Sequence, residues 1–293
     1  NQNILATNIS CNGANDGSIY LSVSGGVPNY TTNWGGISNP NALSIGTYVI
    51  TTTDSNGCVA IDSVEISQPS LLSGSILVTS NYNGEDVSCF GSSDGSAMAT
   101  VLGGVVPYSY VWSSGGSSNI EDSLSAGTHT LTVTDSNNCL TTLNTTLTEP
   151  SALQIVIAST DVSCNGDCDG SSNANVSGGT GTYSYNWSNN DNTPVTDSLC
   201  AGIYNLVVID ANGCMGFDTV NISEPDTLTI ISDSITDVSY FGTNTGFVYA
   251  SVSGGNTNYT YSWTGPGGPY ATEDLDSVYV GIYILTVTDS LGC

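Results

Sequence analysis

Along most of this chain, apolar and polar residues alternate with a period of two. Ser18-Ile19-Tyr20-Leu21-Ser22-Val23 alternates up to Gly25-Gly26, and Thr47-Tyr48-Val49-Ile50-Thr51-Thr52-Thr53 alternates up to the turn Asp54-Ser55-Asn56-Gly57. Ser63-Val64-Glu65-Ile66 follows and ends at Gln68-Pro69. Side chains of a strand point alternately to its two faces, so such a pattern predicts half-buried strands. Turn residues every 8–12 positions and the absence of any amphipathic helical stretch predict six or seven short strands per unit.

The pattern repeats. From Cys11, Cys89, Cys164 and Tyr240, a step of 14 residues reaches Gly25, Gly103, Gly178 and Gly254, each followed by a second Gly. A step of 19 reaches Tyr30, Tyr108, Tyr183 and Tyr259, and a step of 23 reaches Trp34, Trp112, Trp187 and Trp263. A second register is anchored on Cys58, Cys139, Cys214 and Cys293. Four residues before each lies Asp54, Asp135, Asp210 or Asp289, and ten before lies Tyr48, His129, Tyr204 or Tyr283. Only the stretch between the Trp and Gly46, Gly127, Gly202 or Gly281 varies in length, which marks an exposed loop tolerant of insertion. Self-similarity of this kind predicts tandem modules: 1–69, 70–150, 151–225 and 226–293. The expected fold is all-β, four tandem immunoglobulin-like β-sandwich repeats in an elongated rod of ~120–160 Å. Proline at each exit (Pro69, Pro150, Pro225) and the short connections argue for stiffness.

Composition narrows the function. The 293 residues hold 26 acidic side chains, one His and no Lys or Arg, a formal charge of −26. Nothing can neutralise phosphates, so nucleic-acid binding is excluded. No salt bridge to Lys or Arg is available, and trypsin-like proteases find no site. Ser and Thr are abundant but lack a base to activate them, and acidic residues recur once per unit where an active site is assembled once, so no enzyme is expected. No run is long enough for a transmembrane helix, no membrane insertion is expected, and the first residues lack a signal-peptide pattern. The chain reads as a segment of a longer array or a processed product.

Nine cysteines recur at fixed places. The simplest framework closes each unit on itself: Cys11–Cys58, Cys89–Cys139 and Cys164–Cys214, with Cys168 and Cys200 as a second bridge in the third unit. Tyr240 takes the place of the fourth unit's first cysteine, which leaves Cys293 unpaired or intermolecular. A loop of about fifty residues contributes ~4 kcal/mol by chain entropy. Such bridges imply an extracytoplasmic setting. His129 occupies the Tyr column and the Trp column recurs in every unit, so both read as scaffold. The Gly-Gly pairs precede neither helix nor Lys and read as turns rather than phosphate loops.

Two site types remain. Asp16, Asp94 and Asp169 before a Gly, with Asp54, Asp135, Asp210 and Asp289 at the second turn, form a candidate Ca²⁺ ligand set. The ordinary Asx-turn reading is favoured over it, and Thr245 breaks the first column. Asp followed by Ser or Thr and an apolar residue marks Ser63, Ser123, Ser198, Thr219, Thr227, Ser234, Ser277 and Ser290. This triplet resembles the O-glycosylation acceptor motif of exported Bacteroidetes proteins.

The unit Asp161-Val162-Ser163-Cys164-Asn165-Gly166, Asp169-Gly170, Val176-Ser177-Gly178-Gly179, Tyr183 to Trp187, Ala201 to Tyr204 and Asp210 to Cys214 resembles the SprB repeat of very large Bacteroidetes surface adhesins. Tyr240 and Thr245 depart from it in the fourth unit. The resemblance implies export by the type IX route and a stalk or adhesin role at the bacterial cell surface, with gliding as one use. The alternatives are a subunit of an extracellular filament or sheath, and a carbohydrate-binding module. Expected partners are neighbouring repeats of the same or identical chains, and surface polysaccharide.

Overall fold

The computed structural model describes all 293 residues. It contains β-strands and no helix. The first repeat holds β1 (Gln2–Thr7), β2 (Ser18–Val23), β3 (Thr31–Asn33), β4 (Gly46–Thr53) and β5 (Val59–Ile66). The second holds β6 (Ser73–Val78), β7 (Gly95–Leu102), β8 (Ser109–Trp112), β9 (Ile120–Leu124), β10 (Gly127–Thr134) and β11 (Leu140–Leu147). The third holds β12 (Gln154–Thr160), β13 (Gly170–Ser177), β14 (Ser184–Trp187), β15 (Val195–Leu199), β16 (Gly202–Ile209) and β17 (Met215–Ile222). The fourth holds β18 (Thr229–Thr236), β19 (Gly246–Ser253), β20 (Thr260–Thr264), β21 (Leu275–Val278) and β22 (Ile284–Thr288).

Each sheet forms within one repeat. In the second and third repeats, one three-stranded sheet runs β6-β7-β9 or β12-β13-β15 and the other β11-β10-β8 or β14-β16-β17. All pairings are antiparallel. The outcome is the immunoglobulin-like sandwich that the alternation predicts. On β10, Leu131 and Val133 are fully buried while their neighbours are not. They meet Ala97, Ala99 and Leu124 of the opposite sheet around Trp112, which is 2% exposed. Burying a Leu or Val contributes about 1.5–3 kcal/mol, so a handful of such residues supports a module this small. The first repeat uses Ile9, Ile19, Leu43, Ile50 and Ile66 in the same places. The counterpart of β9, the fourth strand of the second repeat, is reduced here to the bridge between Gly17 and Leu43.

By compactness, the chain divides into two units, Asn1–Pro150 and Ser151–Cys293, each containing two repeats. Within a repeat, β2 and its counterparts carry the chain from the first-register turn to the Gly-Gly pair. The two ends of the sandwich are therefore distinct. The exit end holds the first-register turn: Gln68 accepts the Gly13 N–H at 2.9 Å through Oε1, and Asn12 donates to the Pro69 carbonyl at 3.0 Å. The entry end holds the Gly-Gly pair and the second-register turn, joined where Val27 N–H donates to Asp54 Oδ2 at 3.0 Å.

Candidate functional site: the joint between repeats

The residues that lead from one repeat into the next build the joint. After Pro69, Ser70-Leu71-Leu72 crosses the entry end of the second repeat. There the Gly104 N–H donates to the Ser70 carbonyl at 2.9 Å. A Cβ on Gly103 would stand 2.0 Å from the Leu71 carbonyl oxygen, and one on Gly104 would stand 3.0 Å from Leu72 Cδ1. The close crossing therefore requires glycine at 103, beyond its positive φ of 74°, while at 104 the positive φ of 62° and the Asp135 carboxylate 2.8 Å from such a Cβ favour glycine. The second unit repeats the arrangement. Gly179 N–H donates to Ser151 O at 2.8 Å beside Leu153, and Gly255 N–H to Asp226 O at 2.7 Å beside Leu228. The Gly-Gly pair is thus a cradle for a Pro-x-x-Leu segment, a role that turn geometry alone does not reveal.

The disulfides follow from this placement, and they correct the expected framework. Cys11 bonds to Cys139 and Cys164 bonds to Cys293, with Cα–Cα distances of 5.7 and 5.6 Å. Each links the first register of one repeat to the second register of the next. The expected Cys11–Cys58, Cys89–Cys139 and Cys164–Cys214 pairings do not form. Cys11 and Cys58 lie at opposite ends of one sandwich, separated by the eight residues of β5, about 27 Å at ~3.4 Å per residue. A disulfide needs Cα atoms within about 7 Å. Cys293, expected to be unpaired or intermolecular, is bonded within the chain, and Cys58, expected to be bonded, is free and exposed. Cys89 and Cys214 are oxidised as well. Cys168–Cys200 forms as expected within the third repeat.

Polar contacts repeat at the two bonded joints. Asn137 Nδ2 donates to the Ser10 carbonyl at 2.8 Å, and Asn256 Nδ2 donates to the Ser163 carbonyl at 2.9 Å. Cys139 Sγ and Cys293 Sγ lie 3.4 and 3.3 Å from the same carbonyl oxygens. The Ser-Cys dipeptide of one repeat is therefore held against the entry end of the next, by Asn137 of the second-register turn at one joint and by Asn256 beside the Gly-Gly pair at the other.

The aspartates of the proposed calcium set serve these turns. Asp135 Oδ1 accepts the N–H groups of Asn137 and Cys139 at 2.9 Å, and Oδ2 accepts Val105 N–H at 2.8 Å. Asp54, Asp210 and Asp289 do the same. The Asn256 N–H, then those of Cys293 and Leu291, outweigh desolvation and hold the Asp289 carboxyl down to about 2. Asp54 is lowered by the N–H groups of Val27 and Cys58. In the first register, Asp16, Asp94 and Asp169 accept from the backbone N–H of Ser10, Ser88 and Ser163 at 3.0, 3.0 and 2.9 Å. Thr245 Oγ1 takes that role for Ser239 at 2.9 Å, which explains why the fourth repeat tolerates the change. The seven aspartates do not gather into any group of three or more carboxylate, His or Cys ligands.

The aromatic columns also resolve. Trp112, Trp187 and Trp263 are buried, and their Nε1–H groups donate to Ser118, Thr193 and Thr272 carbonyls, so they present no face for stacking on sugars. His129 donates through Nε2 to the Ser125 carbonyl at 2.9 Å, matching the Tyr204 hydroxyl on Cys200 O at 3.1 Å. All eight candidate glycosylation hydroxyls are on exposed residues. Ser123, Ser198 and Ser277 have φ of 63°, 56° and 59°, at the bulges where β9, β15 and β21 meet β7, β13 and β19. The following Leu124, Leu199 and Val278 are buried, so the apolar third position of those triplets has a core function of its own.

The SprB repeat matches residues 4–39, 81–117, 156–192 and 232–268, together half of the chain. The chain belongs to the SprB-repeat family. Each matched stretch of this SprB-repeat chain runs through the first-register turn and past the Trp, so it contains the Gly-Gly cradle. No curated protein matches the chain. Similar solved structures include the four N-terminal Ig domains of Dscam1 isoform 8.4 (13% identity, 99% of this chain and 96% of that one, TM-score 0.24). Another is cadherin domains 1–4 of protocadherin gamma B7 (10% identity, 84% and 83%, TM-score 0.26). At such scores the likeness carries no argument about this SprB-repeat chain.

Proposed function

We propose that this tandem SprB-repeat region is a non-enzymatic stalk or adhesin segment of a bacterial cell-surface protein, built to carry tension. The observation behind this reading is the covalent joint. Cys11–Cys139 ties the first repeat to the second and Cys164–Cys293 ties the third to the fourth, rather than closing a repeat on itself. A bridge inside a module protects that module, whereas a bridge between modules transmits load past both. SprB repeats belong to surface-exposed proteins, and oxidised cysteines suit an extracellular setting. The charge of −26 keeps such a segment hydrated and apart from other acidic surfaces. Export by the type IX route and glycosylation of the exposed Asp-Ser/Thr triplets belong to the same proposal.

The test is antibody labelling of intact cells that produce the chain, with and without external proteinase K. Labelling before lysis and its loss on protease treatment are expected. Labelling only after lysis overturns the surface assignment.

A further inference from the structure

The entry end of the first repeat has the same parts as the entry ends that the second and fourth repeats present to their predecessors. Cys58 is free and exposed, although Cys139 and Cys293, at the same register position, are both bonded to a Ser-Cys dipeptide of the preceding repeat. The turn around it is already in the bonded geometry: Cys58 N–H donates to Asp54 Oδ1 at 2.9 Å, as Cys139 N–H does to Asp135 and Cys293 N–H to Asp289. Asn56 stands where Asn137 grips Ser10 in the next repeat.

A second observation, independent of the thiol, is the empty cradle. Gly25 and Gly26 keep the left-handed φ of 78° and 72° seen in the other three pairs. A Cβ on Gly25 would meet nothing within 4 Å, and one on Gly26 would meet Asp54 first, whereas in the second repeat the same positions meet Leu71 and Leu72. In place of that segment is a groove of about 230 Å³ that runs from Gly25 and Gly26 past Tyr30 and Asp54 to Cys58. Groove and thiol belong to one surface. The register of β1 on β2 pairs Gln2 with Val23, as Gly74 pairs with Val101, so Leu72 corresponds to a position directly before Asn1.

We infer that this face is the receiving half of a further joint, whose occupant is an upstream SprB repeat of the same polypeptide. That repeat would seat a Pro-x-x-Leu exit segment on Gly25-Gly26 and join its first-register cysteine to Cys58. In the bond-forming step the two thiols give up two protons and two electrons, by exchange with a disulfide oxidant of the extracellular medium, as Sγ joins Sγ. An odd cysteine in an oxidised protein points to such an external partner. The opposite polarity is closed: Tyr240 takes the first-register place in the fourth repeat and offers no thiol to a successor.

The experiment places a second copy of residues 70–153 directly before Asn1 of the full chain. The fusion is refolded in a glutathione redox buffer, treated with iodoacetamide and mapped by pepsin digestion and mass spectrometry. The expected result is loss of labelling at Cys58, a peptide linking it to the copied Cys89, and the free thiol displaced to the copied Cys139. Unlabelled Cys168 and Cys200 report that the rest of the chain has folded. A folded fusion in which Cys58 still labels overturns the inference. Changing the copied Leu153 to Asp is the second arm: slowed formation of the Cys58 bridge is expected, and an unchanged rate overturns the role of the groove.

Discussion

Pulling on the two ends of the chain gives the sharpest test of a load-bearing design. In the oxidised protein the shortest covalent path from Asn1 runs ten residues to Cys11 and crosses to Cys139. It then runs twenty-five residues to Cys164 and crosses to Cys293. At ~3.4 Å per extended residue that path is about 120 Å long, against about 1,000 Å for the whole unfolded chain. The bridges thus hide 128 and 129 residues from the applied force. Single-molecule force spectroscopy, with the termini attached to bead and surface, reads the difference directly. Without reductant, total extension at rupture stays near 120 Å; with dithiothreitol, stepwise release approaches about 1,000 Å. Bridges inside repeats, such as Cys11–Cys58, would leave the stretches between repeats and the whole fourth repeat extensible. Oxidised molecules releasing several hundred ångströms would therefore refute the cross-repeat reasoning.

Other outcomes follow from the same contacts. Cys11→Ser removes a loop of 128 residues, worth about 5 kcal/mol by chain entropy, so denaturant melts should show Asn1–Pro150 destabilised while Ser151–Cys293 is unchanged. Gly103→Ala drives a Cβ into the Leu71 carbonyl and should cost about 2–3 kcal/mol, whereas Gly25→Ala, with open space around it, should cost only the ~1 kcal/mol of a left-handed residue; equal losses in parallel urea melts would refute the cradle. Asp289, held at about 2 in the folded chain, contributes stability above its unfolded value of 3.8 that is lost as pH falls toward 2. Thermal melts of Asp289→Asn against the parent from pH 6 to pH 2 should differ at the upper end and converge at the lower. A constant difference across that range would show that the carboxylate charge is not what caps the turn.

The alternation of β2, β4 and β5, the Trp and Tyr columns and the fixed offsets make the sandwich and its four-fold repetition legible in the sequence. Those features are local or periodic, and period two admits only a strand with one face inward. The turn aspartates were legible for the same reason, because an Asx turn closes within four residues. The function of the Gly-Gly pairs was not, since nothing in a turn signature says that another segment crosses over it.

Cysteine pairing was the property that sequence left open. Three first-register and four second-register cysteines leave one over under either scheme: Cys293 if each repeat closes on itself, Cys58 if each closes on its successor. Spacing along the chain is blind to which end of a sandwich a turn occupies. Only the folded strands decide that, by carrying Cys11 and Cys58 to opposite ends and bringing Cys11 beside Cys139. A covalent bond between side chains a few ångströms long is governed by that proximity and not by the count of residues between them.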